Sequence, residues 1–253
     1  MNIPIDLAWL EATMLAAVRI TAFIVIAPPF SYGGIPMRIK AMLAIGLSLA
    51  MGAAVAPGYE NLGTGPFLGA LVVQVLTGAL LGFLVMLCFS ALQSAGNLID
   101  VFGGFQLAQA FDPQSMINGA QFTRLFHLAA LALLFASGGY QVILAGLARS
   151  FEAVPVSGIF DVSAPAELLV TGVSQMVLAA VQIAGPLILV LFLADVGLGL
   201  ITRVAPALNA FAMGFPVKIL LTLMLAGTVF IALPGLVDAL TSEAFRMMRG
   251  VQQ

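Results

Sequence analysis

The sequence predicts an all-α fold, a polytopic membrane protein of about six long apolar helices that proline and glycine interrupt. Composition is the first reason, because 62% of the residues are hydrophobic and 8% are charged, whereas a soluble domain carries roughly a quarter of its residues as charged ones. So few charges cannot cover the surface of a 253-residue globule in water. The second reason is that the apolar residues fall in runs of about the 20 residues that a helix needs to cross a bilayer core.

Six apolar runs meet this length criterion, and we expect them to form one membrane-embedded domain over residues 1–253. They lie at residues 12–30, 39–56, 67–92, 125–148, 168–194 and 217–240. The segment before the first run contains Asp6 and Glu11 but no Lys or Arg, which is unlike a signal peptide, so we expect the first run to be retained. In a six-span arrangement, the cations other than Arg19 favour an outside amino terminus by five to three.

Prolines and glycines predict where the chain turns between these runs. The residues that disfavour one continuous helix through the first two runs are Pro28, Pro29, Gly33, Gly34 and Pro36. Since proline removes a backbone donor and clashes with the preceding turn, this cluster predicts a tight reversal. Residues 57–66 predict a short loop and residues 152–165 a longer one.

Several classes of function find no support in the sequence. A net charge of −2 without any run of Lys or Arg gives no indication of a nucleic-acid partner. Cys88 is the single cysteine and lies in an apolar run, so we interpret it as a packing residue, and His127 as a packed or interfacial one. Zinc-protease, nucleophile-elbow and phosphate-loop motifs are absent from the sequence. We therefore predict no enzyme activity, no catalytic residue, no metal and no cofactor.

Ionisable residues within apolar runs are the first candidate functional groups. A charge at the bilayer centre costs upward of about 2.5 kcal/mol and persists with a partner or a water path. Arg19 and Lys218 are such residues, while Asp195 and Asp100 lie just beyond the fifth and the third run. Two interpretations stay open at this stage. In the first, Arg19 forms a structural ion pair with Asp100 or Asp195. In the second, these charges have a role in transport.

A polar but nearly uncharged stretch follows the third apolar run. Gln93, Asn97, Asp100 and Gly104 recur every three or four residues, which places them on one face of a helix that continues from that run. The sequence therefore predicts that this face lines a wet passage.

The segment at residues 103–121 is a candidate gate. Gly103 and Gly104 permit a bend, and bulky apolar side chains on a flexible backbone can close an aqueous passage by dewetting it. The candidate gate residues are Phe105, Phe111, Met116 and Ile117. The alternative interpretation of this segment is an amphipathic connector at the membrane interface.

Small residues also recur at helix-contact spacing, as in Gly78-x-x-x-Gly82. Such pairs let two helix backbones approach closely in lipid. We expect the apolar faces of this chain to meet other helices, either its own or those of partners.

These landmarks resemble the FliR family of flagellar export-gate proteins and the T-component proteins of virulence type III secretion, over nearly the whole chain. The resemblance is carried by Arg19, Pro28, Pro36 and Lys40, by blocks at residues 94–113 and 199–216, and within the latter block by Pro206, Phe215 and Pro216. The block at residues 199–216 is the most specific, and the resemblance is closer to the flagellar branch.

The resemblance implies a single-copy subunit of the bacterial inner membrane, in the flagellar basal body. With several copies each of FliP and FliQ, and with other export-apparatus membrane proteins nearby, it would form a closed helical ring whose helices pack as hairpins. Unfolded flagellar proteins would leave the cytoplasm through that ring. The family also implies a plug in the pore at about residues 105–121, and the gate interpretation converges with it.

One other class of function stays open. An independent, ion-coupled small-molecule transporter would use Arg19, Asp100 and Asp195 as a midplane site between broken helices. Such a protein would need no partner subunits, whereas an export-gate subunit would purify with two other small membrane proteins. An intramembrane enzyme is a more distant alternative, because no recognised nucleophile and base are present.

Overall fold

Seven α-helices, with no strand, make up the part of the chain that the structure describes, residues 7–105, 121–157, 163–205 and 210–251 of a computed structural model. The helices are α1 (Leu7–Ile26), α2 (Met37–Val55), α3 (Thr64–Phe102), α4 (Gln121–Ala136), α5 (Gly139–Ala153), α6 (Ser163–Val204) and α7 (Ala210–Gly250). The predicted all-α class is confirmed. The predicted reversal between the first two runs is also confirmed, since α1 ends at Ile26 and α2 begins at Met37.

Among the described residues, five helices are long and apolar enough to cross a membrane, and the total is six if one bent pair counts as a span. That pair is α4 and α5, which meet at an angle of 76°. Gly138 lies at the break with a φ of 73°, in the left-handed region that glycine adopts without a steric penalty. The apolar run predicted at residues 125–148 therefore forms two short helices, which count together as one broken span or as a re-entrant loop.

Three of the helices are much longer than one membrane crossing requires. α3 has 39 residues, α6 has 42 and α7 has 41. At about 1.5 Å per residue each is roughly 60 Å long, about twice the thickness of a bilayer core. For α3 this length includes the predicted continuation beyond the third apolar run, which extends to Phe102.

The chain divides into two compact units, each built from segments distant in sequence. One comprises Met1–Cys88, Leu134–Val173 and Leu240–Gln253, and the other comprises Phe89–Leu133 and Ser174–Ala239. We call these unit 1 and unit 2. The sequence-based prediction of a single membrane-embedded domain stays a prediction.

The core of unit 1 forms where α1 packs against α2 and α3. Gly78 and Gly82 of α3 face the backbone of α1, where a Cβ on Gly82 would lie 3.0 Å from the carbonyl oxygen of Phe23. At Gly78 a Cβ would overlap the carbonyl oxygen of Arg19. The small residues at this spacing therefore serve the close helix contact that the sequence predicted.

Large apolar side chains remain exposed on several helices of the isolated chain. Among the most exposed are Ile231 at 83%, Met42 at 71% and Met224 at 70%. Since the chain has too few charges to be surrounded by water, these side chains need lipid or neighbouring subunits as their solvent.

Replacing Gly78 with alanine should destabilise unit 1, because the added methyl group has no room beside the α1 backbone. Overpacking of this kind costs about 1–3 kcal/mol. We expect Gly78→Ala to lower the unfolding midpoint of the purified protein in detergent. Gly69→Ala is the matched control in the same helix, since a Cβ there would meet no neighbouring group within 4 Å; it should leave the midpoint unchanged or raise it. Equal midpoints for the two variants would contradict the packing argument.

Candidate functional site

The guanidinium group of Arg19 is the most deeply buried charge among the described residues of unit 1, with no exposed surface. Nε donates a hydrogen bond of 2.6 Å to Oε1 of Gln74 on α3. Nη1 donates to the backbone oxygen of Ser150 at 2.9 Å and to its Oγ at 3.2 Å. Nη2 donates to the backbone oxygen of Val154 at 2.6 Å. One side chain thus joins α1, α3 and the carboxyl end of α5.

The acceptors around Arg19 are neutral, and their charge compensation comes from a helix end. Ser150 and Val154 lie at the carboxyl end of α5, where backbone carbonyls carry a partial negative charge. The backbone oxygen of Ser150 also accepts from the N–H of Val154 at 3.0 Å. The ring of Phe151 adds a cation–π contact, with its centroid 4.2 Å from Cζ of Arg19. The predicted ion pair of Arg19 with Asp100 or Asp195 is therefore wrong, because these partners take the place of a carboxylate.

The neighbours of Arg19 are themselves held by hydrogen bonds. Nε2 of Gln74 donates to the backbone oxygen of Val156 at 3.0 Å, which fixes the orientation of the amide. Oγ of Ser150 donates to the backbone oxygen of Leu147 at 2.6 Å, so its lone pairs face Arg19. Each buried polar group of this cluster has a partner, as a low-dielectric interior requires.

Asp100 forms the corresponding polar centre of unit 2 and is also fully buried. Its Oδ1 accepts a hydrogen bond from the backbone N–H of Phe122 at 3.0 Å, and its Oδ2 accepts from the backbone N–H of Thr123 at 3.0 Å. Oγ1 of Thr123 also donates to Oδ2, at 3.1 Å. The carboxylate therefore caps the amino end of α4, where free N–H groups and the helix dipole favour a negative charge.

A row of aromatic rings extends from the end of α3 through α4 to α7. Ring centroids are 5.3 Å apart for Phe105 and Phe122, 6.1 Å for Phe122 and Phe126, and 5.8 Å for Phe126 and Phe230, all with edge-to-face geometry. Such pairs contribute about 0.5–1.5 kcal/mol beyond their buried area. The candidate gate residue Phe105 thus belongs to a packed row.

The other three candidate gate residues cannot be placed in the same way. Phe111, Met116 and Ile117 lie outside the described residues. The bend predicted at the start of the segment is present, since α3 ends at Phe102 and Gly104 has a φ of 82°. A Cβ on Gly104 would lie 3.2 Å from the ring of Phe215, so that ring packs closely against the bend.

The predicted polar face of α3 holds residues in different environments. Gln93 is half-buried and its Nε2 lies 2.8 Å from Nδ1 of His127 on α4, which agrees with a packed role for that histidine. Asn97 is exposed, whereas Asp100 is buried and its carboxylate accepts hydrogen bonds from the amino end of α4. That this face lines a pore stays a prediction, for which Asn97 has the most open position of the three.

The remaining two candidate intramembrane charges pair with each other. Nζ of Lys218 on α7 lies 2.7 Å from Oδ2 of Asp195 on α6, with 20% and 48% of the respective side chains exposed. Because the pair is neutral as a whole, it costs less in an apolar setting than either charge would alone. The sequence identified both residues but did not pair them.

The residues that carry the family resemblance lie mostly at chain turns and helix ends. Pro28 is buried and forms a cis peptide bond with Pro29 in the turn after α1. Pro36 precedes α2, and its backbone oxygen accepts from the N–H of Lys40 at 3.3 Å. Pro216 lies inside α7, while Pro206 lies outside the described residues.

Sequence reasoning missed Gln74, Ser150 and the backbone groups that bind Arg19 and Asp100. Gln74 carried a usable signal, because it is an amide in the middle of an apolar run. The partners of Asp100 are backbone N–H groups, which every residue except proline has, so no residue type could have identified them. Among the described residues no group of three or more His, Cys, Asp or Glu side chains could hold a metal ion.

Replacing Arg19 with lysine should destabilise the protein even though the charge is kept. An ammonium group cannot reach acceptors on α3 and on two turns of α5 at once, and each lost hydrogen bond to a charged group costs about 1.5–3 kcal/mol. We expect Arg19→Lys to lower the unfolding midpoint in detergent clearly. Arg38→Lys, at an exposed position on α2, is the control and should not change it. An unchanged midpoint in Arg19→Lys would refute the role of the fork geometry.

Comparison with known proteins places these features in a family. The sequence profile of the bacterial export proteins, family 1, matches residues 10–244. The flagellar biosynthetic protein FliR of Pectobacterium carotovorum is 30% identical over 248 residues, which cover 96% of this chain and 93% of that protein. FliR of Escherichia coli is 28% identical over 250 residues, which cover 97% of this chain and 94% of that protein.

A virulence-associated relative matches a shorter part of the chain. The Yop proteins translocation protein T of Yersinia pestis is 31% identical over 147 residues, which cover 57% of this chain and 56% of that protein. The profile match extends from α1 into the last turns of α7, and so includes both polar centres described above. The chain belongs to the bacterial export proteins, family 1.

Proposed function

We propose that this protein is a core subunit of the flagellar type III protein export gate and forms, with FliP and FliQ, the closed channel through which unfolded flagellar proteins are exported. The chain is a component of a type III export apparatus and a multi-pass protein of the bacterial inner membrane. The family consists of export-apparatus components and is not known as a family of enzymes.

The extent of the match to the flagellar relatives is the observation that carries the proposal. Alignments with FliR proteins of two species cover 96% and 97% of this chain, whereas the match to the Yersinia translocation protein covers 57%. Of these three proteins, only the two flagellar ones therefore align with this chain over nearly its whole length. This difference favours a flagellar role over a virulence role.

Two features of the fold support assembly with other membrane subunits. α3, α6 and α7 are each about twice as long as a bilayer crossing requires, so part of each extends beyond one membrane thickness or is steeply tilted. α6 and α7 also expose large apolar side chains along much of their length. Helices of this kind are suited to a ring of packed subunits, whose neighbours cover apolar surface that lipid cannot reach.

Within that channel we assign the closing role to the connection between α3 and α4. Phe105, at the start of this connection, packs edge-to-face against Phe122 at its other end. Bulky apolar residues in such a place exclude water and ions from a narrow passage. Phe111, Met116 and Ile117 belong to the same assignment on the basis of sequence.

The alternative, an independent small-molecule transporter, needs polar groups that are free to bind a solute. Arg19, Asp100 and Asp195 each have partners within the chain instead. Their hydrogen bonds and ion pair would have to break before any of them could bind a substrate. This arrangement favours a structural use of the charges, and export would draw its energy from other components.

Purification from the native membrane distinguishes these two functions. We expect the full chain, isolated with an affinity tag in mild detergent, to bring with it several copies of each of two smaller membrane proteins, identified by mass spectrometry as FliP and FliQ. A fixed subunit ratio by native mass spectrometry is the measurement. A lone chain or a homodimer that transports a small solute in vesicles would refute the proposal.

Deletion of residues 116–119 should open the resting channel. The reason is that this change removes Met116 and Ile117 from the segment assigned to closure. We expect a higher ion conductance across planar bilayers for the deleted complex than for the wild-type complex. Deletion of an equally long piece of the loop at residues 57–63 is the control and should leave the conductance low. Unchanged conductance in a complex of normal composition would contradict the assignment.

A further inference from the structure

The ion pair between α6 and α7 is exposed unequally at the surface of the chain. Nζ of Lys218 lies 2.7 Å from Oδ2 of Asp195, and 48% of the aspartate side chain is exposed against 20% of the lysine side chain. Lys218 lies one helical turn before the fully buried Thr222, on the face of α7 that packs within the chain. The negative end of the pair is therefore the end that faces outward.

The carboxylate of Asp195 has acceptor capacity that the chain does not use. An ionised carboxylate accepts about four hydrogen bonds. Among the described residues, Lys218 is its only hydrogen-bonding or ion-pairing partner. A second donor can therefore bind while the pair stays intact. A solute needs a pocket that encloses most of its surface, whereas a neighbouring helix can bind a single open edge of this kind.

The surface around Asp195 is apolar. Phe192, one turn before it on α6, is 55% exposed, and Val196 and Leu200 are 44% and 60% exposed. A carboxylate in such a surface is costly to cover with lipid or protein unless the covering group brings a donor. Whatever packs against this face of α6 must therefore carry a donor at the position of Asp195.

Gly199 leaves a gap beside this carboxylate. It is exposed one turn after Asp195, and a Cβ there would meet nothing within 4 Å. Glycine inside a helix is destabilising relative to alanine, but on an apolar face it lets a second helix approach closely. Gly78 and Gly82 serve such an approach within unit 1. The gap fits a helix backbone better than a lipid headgroup, which needs no such space.

We infer that Asp195 binds a basic side chain, Arg or Lys, on a membrane helix of a neighbouring subunit that packs over Gly199. This inference rests on the proposed function, which supplies membrane subunits as neighbours. Charge complementarity selects a cation, because the exposed end of the pair is a carboxylate. A carboxylate between two cations also occurs in other buried ion networks. Lys218 then orients the carboxylate, and the cation of the neighbour completes its coordination.

Two substitutions that break the same pair within the chain test this contact. Asp195→Asn leaves Lys218 and the neighbour's cation to repel each other, whereas Lys218→Met leaves the carboxylate for the neighbour. In complexes purified in mild detergent, we expect Asp195→Asn to retain at least about tenfold less FliP and FliQ than the wild type, and Lys218→Met to retain nearly as much as the wild type. Equal retention by the two variants would overturn the inference.

The matched control removes a different carboxylate of unit 2. Asp238 lies on α7 and is also exposed. We expect Asp238→Asn to retain the partner proteins at the wild-type level, because the inferred contact is intact. A loss as large as that of Asp195→Asn would mean that any exposed carboxylate of this unit has the same effect, and the specific role of Asp195 would be wrong.

A photochemical crosslink identifies the neighbour, and it decides the question if either variant of the pair fails to fold. A photoreactive phenylalanine analogue at position 192 keeps an exposed aromatic ring one turn from Asp195. Irradiation of native membranes should link it to another subunit, and mass spectrometry of the peptides should find Arg or Lys within one helical turn of the linked residue. Links only to lipid, to a second copy of this chain or to a segment without a basic residue would overturn the inference.

The wild-type complex separates this inference from the proposed function. If the wild-type chain purifies without FliP and FliQ, the proposed function is wrong and the inference fails with it. If the wild type retains both proteins and Asp195→Asn retains as much of them, the proposed function stands and only the role of Asp195 is wrong.

Discussion

The fold depends on the contact between the guanidinium of Arg19 and the carboxyl end of α5. In an apolar interior an unpaired charge is too costly to persist, so every donor of this side chain must find an acceptor. The acceptors come from α3 and from two successive turns at the end of α5. A single residue of α1 therefore determines where α3 and α5 lie within unit 1, and the glycines of α3 allow the backbones to come within reach of it.

Unit 2 uses the same principle with the opposite charge. Asp100 accepts from the amino end of α4, as Arg19 donates to the carboxyl end of α5. Both contacts match a charge to the helix end of opposite partial charge. α4 and α5 are the two shortest helices among the described residues, and they meet at a bend of 76°. Asp100 secures the amino end of α4 within unit 2, and Arg19 secures the carboxyl end of α5 within unit 1.

Apolar run length was enough to predict most of the helices, because the requirement for about 20 apolar residues is a property of the membrane and not of tertiary contacts. At residues 125–148 the structure has two short helices separated at Gly138, a bend that run length does not predict. The candidate charges were also identifiable, since Arg19, Asp195 and Lys218 stand out in or beside apolar runs. Of the partners of Arg19, Gln74 was identifiable as an amide within an apolar run, whereas the backbone carbonyls were not, because they leave no trace in the residue type. The function proposed for the α3–α4 connection rests on the packing of Phe105 and, for the other gate residues, on sequence pattern.

The share of buried residues indicates which helices are packed mainly within this chain and which need apolar contacts outside it. In their most apolar windows, α1 has 44% and α3 has 50% of residues buried within the chain, whereas α6 has 22% and α7 has 17%. Yet α6 and α7 contain at most two charged residues in those windows. Helices that are equally apolar but much less buried need an external apolar partner over most of their surface. Because they are also about 60 Å long, a bilayer core of about 30 Å covers all of that surface only where the helix is steeply tilted. Any part that extends beyond the core needs protein around it, so the physical requirement that gives Arg19 and Asp100 partners within the chain is also the reason that we propose partner subunits outside it.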